Sequence, residues 1–436
     1  MAGNREVGGG EAAAPRRGTG GGEGACAPAP TPRGVIPLLA VAGGASVANV
    51  YFAQPLLVTI GRDLGMAPAL VGAVVTLTHV GYGLGLFLLV PLGDMKDRRR
   101  LIVTQLVLLA GALTVVSIAP TAALLLVGMA AVGLLAVVTQ TLVVHAASLA
   151  PPARRGRVVG QVTGGVVIGI LLARAVSGLL ADLAGWRSVY LASAGLTALL
   201  ALVLSRSLPR SPGGAAPPAL GYGRLLRSTV DLFARERLLR VRALLGLLIF
   251  AAFSTLWSSV ALPLSEAPHS LSHTAIGAFG LIGAVGALAA GAAGRLNDRG
   301  LSRWTTGAGL ALLAVSWVPL AFTGSSLWAL VVGVIVLDLA VQAVHVTNQT
   351  LIYALHPEAG GRLIGGYMIF YAIGSATGAL AATSLYAAAG WGAVCVLGAG
   401  ISVLAFLVWA HETRARPIPR DRYGKSSPER AGRSRG

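Results

Sequence analysis

Long apolar runs separated by short polar breaks dominate the chain from residue 35 to residue 410. A helix that crosses a bilayer needs about 20 apolar residues to cover ~30 Å of hydrocarbon. Runs near that length fall at 35–60, 68–92, 101–119, 121–149, 158–184, 187–205, 243–265, 275–293, 304–323, 326–352, 364–386 and 390–410. Within lipid a helix satisfies its own backbone hydrogen bonds, so the pattern predicts an all-α membrane protein with 12 transmembrane helices. Residues 1–33 are mostly Gly, Ala and Pro and are expected to be a disordered tail; residues 412–436 form a second, basic one. The sixth and seventh runs are separated by residues 206–242, where a Gly/Pro-rich stretch precedes "RLLRSTVDLFARERLLRVRALL". That stretch sets basic residues against Leu, Val and Phe at helical spacing, which predicts an amphipathic helix lying along the inner membrane interface. The runs therefore divide into a six-helix bundle over 34–205 and another over 243–411.

Composition agrees: of 436 residues 55% are apolar and 11% charged, with a mean hydropathy of +0.75. Charge adds the orientation, because Lys and Arg of short loops stay on the cytoplasmic side. Of the 34 basic residues, Arg62 and Arg187 fall in loops on one side and Arg174 within a run; the rest lie in the tails and the loops of the other side. Both termini are thus expected in the cytoplasm. The net charge of +18 is spread along these segments with no nucleic-acid-binding motif beside it, so nucleic acid is not an expected partner and the lipid bilayer is. Cys26 and Cys395 suggest neither a disulfide framework nor a metal site, and no cofactor is expected. The first run is longer than a signal peptide's apolar core and is expected to be retained.

The halves echo each other. "GRVVGQVTGGVVIG…GW" begins at Gly156 and "GRLIGGYMIFYAIG…GW" at Gly361, so that Gly156, Arg157, Gly160, Gly169, Gly185 and Trp186 recur 205 residues later as Gly361, Arg362, Gly365, Gly374, Gly390 and Trp391. A second echo pairs "PLGDMKDRRR" after span two with "AAGRLNDRGLSR" after span eight. At these residues the chain resembles the major facilitator superfamily, and within it bacterial drug and metabolite exporters related to sugar-efflux permeases. Gly93, Asp97, Arg98, Arg99 and Arg100 match the superfamily's loop motif, without its second glycine; Gly294, Asp298, Arg299 and Gly300 match its second copy. "NVYFAQPLL" and "GILLARAVSGLLADLAGWR" are similar to one subgroup of these exporters. The resemblance implies two pseudo-symmetric six-helix bundles in a bacterial inner membrane, with a cavity lined by spans one, four, seven and ten. The motif Asp and Arg residues can cap helix ends and pair across the loops, gating the cytoplasmic side; as an alternative, the basic loop only fixes topology.

In "VLDLAVQAVHVTNQT" of span ten, Asp338, Gln342, His345 and Gln349 are spaced i, i+4, i+7 and i+11 and share one helix face, with Asn348 at its edge. Asp338 lies ~18 Å along the span, near the bilayer middle. A carboxylate there costs about 2.5–3.5 kcal/mol, so the face should meet a partner or a watery cavity. An acid that loses and regains water as a cavity opens to either side takes up and gives back a proton, the property a proton-coupled transporter needs. Asp338 is the candidate proton carrier and His345 a possible relay; the alternative is a structural clasp between helices. Asp182 falls near the outer end of span five.

Arg174 in span five lies at a similar depth and needs an acceptor: Asp338 across the cavity, an anionic substrate, or helix-end carbonyls. Gly160, Gly164, Gly165 and Gly169 beside it are expected to allow close helix contact where the halves slide. Tyr51 and Gln54 share a face of span one before Pro55, an expected kink. The cavity implied by the resemblance adds Gln140, Trp257 and Ser258 as lining candidates, and Tyr371 is a further aromatic candidate; aromatic lining suits an amphipathic organic molecule better than a sugar. The expected function is a proton-coupled antiporter that exports a small organic compound as a monomer. The alternatives are an uptake or facilitated-diffusion carrier and, from another class, an intramembrane enzyme or sensor. No HExxH motif or Walker A sequence is present, so neither a zinc hydrolase nor a built-in ATP motor is indicated.

Overall fold

The computed structural model describes residues 34–151, 154–209, 221–355 and 360–415, and their regular structure is helical. Of the tails expected to be disordered, residues 1–33 and 416–436 lie outside the described residues, as do 210–220 of the linker, while 412–415, expected in the C-terminal tail, continue the last helix. In chain order the helices are α1 (Val35–Ala48), α2 (Leu57–Asp63), α3 (Pro68–Gly93), α4 (Arg98–Ser117), α5 (Ala122–Leu149), α6 (Arg155–Ala184), α7 (Trp186–Ser207), α8 (Tyr222–Arg235), α9 (Arg237–Ser265), α10 (His273–Asp298), α11 (Ser302–Ala321), α12 (Leu327–Tyr353) and α13 (Gly360–Ala415). Among the described residues, ten helices are long and apolar enough to cross a membrane. Large apolar side chains stand on their outer faces, such as Leu183 at 73% exposure and Val127 at 68%. A water-soluble chain would bury such groups, whereas lipid wets them.

Local chemistry starts and breaks the helices. Thr121, Ser272 and Ser326 cap the first turns of α5, α10 and α12 by accepting from the N–H three residues on. Between α1 and α2 the chain leaves the α-helix over 49–56, where Pro55 lacks the donor and crowds the carbonyl four residues back, so the expected kink is present.

The sequence repeat has a structural cause. Gly185 (φ 79°, ψ 162°) ends α6, and Gly390 (φ 71°, ψ −169°) bends α13 into two arms; both adopt a backbone that L side chains avoid. The tryptophan after each glycine is then anchored: Trp186 Nε1 donates to Asp63 Oδ2 at 2.7 Å, and Trp391 Nε1 to the Leu320 carbonyl at 2.8 Å. Likewise Gly169 lies against the backbone of Gly44 on α1, and Gly374 against that of Leu247 on α9. Gly165 and Gly169 therefore serve packing within the first half, while Gly160 and Gly164 face open space. The expectation that these glycines line the contact between halves is corrected: α6 reaches the other half farther along, through Arg174 and Gly178.

Two pseudo-symmetric helical bundles result, one on either side of the linker. They meet chiefly where α6 crosses α10 and α3 crosses α13. These contacts gather at the end opposite the basic loops. There Asp182 of α6 accepts from the backbone N–H of Thr274 (2.8 Å) and from His273 Nδ1 (2.7 Å), while His273 Nε2 shares a hydrogen bond with Thr59 Oγ1 (2.6 Å). Thr76 donates to the Ala376 carbonyl (2.9 Å) and Ser384 to that of Ala69 (3.1 Å). Toward the basic loops Gly156, Gly160 and Gly294 have no heavy atom within 4 Å of where a Cβ would stand. Helix α8 bridges that end, with Tyr222 donating to the Leu88 carbonyl (2.8 Å) and Phe233 stacked on Phe370 (5.3 Å between centroids).

Helix α9 begins at Arg237, earlier than the expected span at 243, and carries Arg242 into the bundle. Arg242 was expected in the linker. Instead it is 7% exposed and donates to Thr306 Oγ1 (3.2 Å) and Asn348 Oδ1 (3.3 Å).

Candidate functional site

The polar face of α12 is graded in exposure. Asp338 is 6% exposed, whereas Gln342, His345 and Gln349, successively nearer the basic loops, are half-buried. Asp338 is thus the most deeply buried of the four. Its Oδ1 accepts from Trp257 Nε1 at 3.3 Å. The helix across from it, α10, presents Gly277, Gly280, Gly283 and Gly286 at three-residue intervals. A Cβ at Gly283 would strike the Asp338 carboxylate and one at Gly286 its backbone; at Gly280 it would strike the Arg174 side chain and at Gly277 the Arg174 backbone. Glycines of one helix therefore seat both charged residues, one from each bundle.

Arg174 is 3% exposed. Its Nε donates to Gln54 Oε1 at 2.6 Å, and its guanidinium lies over the rings of Trp257 (4.1 Å), Tyr51 (5.1 Å) and Phe253 (5.7 Å). Nη2 has no partner among the described residues. Neither a helix-end carbonyl nor an ion pair with Asp338 holds Arg174. A side-chain amide and three aromatic faces do so, a setting that stabilises a cation by its attraction to the ring quadrupole. Trp257 touches both charges, its indole N–H on Asp338 and its ring under Arg174.

Tyr51 of the first bundle and Tyr371 of the second share a hydrogen bond at 2.6 Å. Around them stand His79, Tyr82 and Phe250, the last edge-on to Tyr371 at 4.2 Å. Gln140 reaches this group by donating to the Tyr82 hydroxyl at 3.4 Å. Of the sequence candidates, then, Tyr51, Gln54, Gln140, Arg174, Trp257, Asp338 and Tyr371 form one connected cluster. Ser258 does not join it; its hydroxyl is buried and bonds Ser254 within α9 at 3.2 Å. His345 turns away from Asp338: its Nδ1 bonds the Tyr367 hydroxyl at 2.8 Å and its ring stacks on Tyr367. Sequence reasoning missed His79, Tyr82 and Phe253, and it missed the glycines of α10, whose three-residue spacing was the available signal.

The loop motif is built as local structure. Asp97 caps α4 by accepting from the Arg99 N–H at 2.9 Å, and Arg98 Nε donates to the Gly93 carbonyl at 3.0 Å. Arg99 donates to the Ser205 carbonyl at the end of α7, and Arg100 lies 3.9 Å from Asp97. In the second copy Gly300 has φ 76°, Asp298 and Arg299 are exposed, and the neighbouring Asn297 donates to Thr347 Oγ1 at 3.2 Å.

Against known proteins, the chain matches the Major Facilitator Superfamily over residues 39–299 and again over 243–433. It belongs to that superfamily. The uncharacterized transporter YgaY of Escherichia coli (strain K12) is 47% identical over 375 residues, covering 86% of this chain and 94% of YgaY. The purine ribonucleoside efflux pump NepI of Escherichia coli O127:H6 is 30% identical over 177 residues, 39% of this chain and 44% of NepI. A bacterial homologue of the human lysosomal transporter Spinster superposes with a TM-score of 0.70 at 15% identity, covering 87% of this chain and 97% of that one, which shows the shared major facilitator fold. The protein is accordingly a multi-pass transporter-family member of a bacterial inner membrane.

Proposed function

We propose that this superfamily member is a proton-coupled exporter of a small organic compound. In this reading α1 and α2 make one crossing and the two arms of α13 make two, so the chain spans the membrane twelve times with both termini cytoplasmic. The bundles are 34–205 and 237–411, the second beginning where α9 starts rather than at 243, joined by the linker that carries α8, and the molecule works as a monomer without enzymatic activity or cofactor. The basic-loop end is cytoplasmic in this reading, so the half-buried polar face of α12 leads inward from Asp338 and the Asp182, His273 and Thr59 contacts close the outer gate. The loop motifs at Gly93, Asp97, Arg98, Arg99 and Arg100, and at Gly294, Asp298 and Arg299, act when that gate opens and the inner one shuts.

The carrying observation is Asp338 itself: a carboxylate sunk between two bundles, held by one indole N–H and seated on glycines, with Arg174 of the other bundle beside the same indole. In a dry site such an acid persists with a proton or a partner on it, and a substrate that bonds it displaces the proton. Proton and substrate then occupy the acid in turn, which makes inward proton flow drive outward substrate flow. Tyr51, Gln54, Gln140, Arg174, Trp257 and Tyr371 line the substrate's path, with Gln342, His345 and Gln349 along the face of α12 that leads inward. NepI, whose name assigns it purine ribonucleoside efflux, supports the outward direction.

The test is transport in everted membrane vesicles with a compound panel that includes purine ribonucleosides. Uptake into vesicles acidified inside, abolished when the pH gradient is collapsed, is expected. Transport indifferent to the gradient would assign the protein to facilitated diffusion instead.

A further inference from the structure

A groove of ≈ 770 Å³ opens sideways between α3 and α13, with His79 of the aromatic cluster at its inner end. Val80, Leu84, Phe87, Phe233, Phe370 and Ile373 make its walls, and α8 closes its basic-loop end. Leu84 is 51% exposed and Ile373 44%, so the walls stand open to the surroundings of the bundle. The wall on α3 runs from His79 to Phe87, about 12 Å at 1.5 Å per residue, close to the ~15 Å that one leaflet contributes to the hydrocarbon core.

Its mouth is cationic. Arg240 lines it, Arg235 follows the lining residue Ala234, and Arg227 lies one turn before the lining residue Val230. From Tyr222 to Arg240 the chain carries Arg224, Arg227, Arg235, Arg237 and Arg240 against Asp231 and Glu236, and Arg237 pairs with Glu412 at 2.7 Å. Helix α8 is fixed on the groove: Phe233 stacks on Phe370, and Arg240 Nη1 donates to the carbonyls of Phe233 (2.8 Å) and Ala234 (2.5 Å). An apolar trough one leaflet deep with a rim of arginines complements one ligand chemistry, an acyl chain below an anionic head.

We propose that the α3/α13 groove under α8 is a binding site for an anionic phospholipid of the inner leaflet. One acyl chain fills the trough and the phosphate lies among Arg227, Arg235 and Arg240. Since α3 belongs to one bundle and α13 to the other, the lipid wedges the pair apart at this end and is held only while the outer gate is closed.

Native mass spectrometry of the purified full chain, titrated with phosphatidylglycerol and with phosphatidylcholine of identical chains, reads this directly. One phosphatidylglycerol is expected to bind, with the preference over phosphatidylcholine about fivefold for each arginine engaged at ~1 kcal/mol apiece. Arg227→Gln with Arg235→Gln, both at exposed positions, removes most of that preference without altering the trough. Leu84→Trp, which fills the trough from an exposed position, removes binding of both lipids. Equal binding of the two lipids by the wild type overturns the site's anionic character. Phosphatidylglycerol binding unchanged by Leu84→Trp in a protein of unchanged thermal midpoint places the lipid elsewhere, and an uncharged lipophile bound as tightly as phosphatidylglycerol makes the groove a path for apolar molecules. Should Leu84→Trp not fold, the glutamine pair alone decides.

Discussion

Asp182→Ala should unlatch the outer gate. In the wild type the carboxylate accepts from the N–H of His273 (3.2 Å) and Thr274 (2.8 Å), capping α10 from the opposite bundle, and from His273 Nδ1 (2.7 Å). These bonds exist only while the two bundles meet at that end. Loss of a helix cap costs about 1 kcal/mol, and a hydrogen bond to a charged group about 1.5–3 kcal/mol when buried. Asp182 and His273 are partly exposed, so solvent replaces part of the second contribution, and the sum is about 2 kcal/mol, or ~30-fold in the equilibrium between outer-closed and outer-open states. Ala379, fully buried where α13 crosses α3, reports that equilibrium. In a chain with Cys26→Ser and Cys395→Ser, Ala379→Cys should react with a membrane-impermeant maleimide up to ~30-fold faster once Asp182→Ala is added, in proportion to the open population. Asp182→Asn, which keeps an acceptor for one N–H, should fall between. An unchanged labelling rate in Asp182→Ala would refute the latch.

Trp257→Phe keeps a ring under Arg174 but removes the N–H on Asp338, so it should lower transport while shifting the thermal midpoint little; Trp257→Leu also strips the cation's aromatic support, worth up to ~2 kcal/mol in a desolvated site, and should lower the midpoint clearly, as differential scanning fluorimetry would show. Gly390→Ala and Gly185→Ala each force a side chain into an extended positive-φ conformation that only glycine adopts readily, at about 1–3 kcal/mol, and because the two positions are repeat-related their destabilisations should be similar.

The bundles, the repeat and the polar face of α12 were legible because lipid imposes them locally: apolar length, a helical period and glycines with positive φ all leave marks within a few residues of sequence. The partner of Arg174 was not. Gln54 is 120 residues away, and its position depends on how Pro55 breaks the helix after α1. Arg242 was misplaced because the basic, Leu-rich linker runs without a hydropathy break into α9. What buries Arg242 is Thr306 and Asn348, supplied by α11 and α12. The glycines of α10 looked like ordinary small-residue packing, since only the folded chain brings Arg174 and Asp338 against them. His345 shares the helix face of Asp338, but its bonding follows the aromatic neighbours Phe250 and Tyr367, which come from other helices.

The measurement nearest to the central claim compares two modes of transport in reconstituted Asp338→Asn. The account predicts that substrate exchange between the two sides, which needs no net proton movement, survives, while accumulation driven by a pH gradient is lost. Gradient-driven accumulation at the wild-type level in that variant would contradict it.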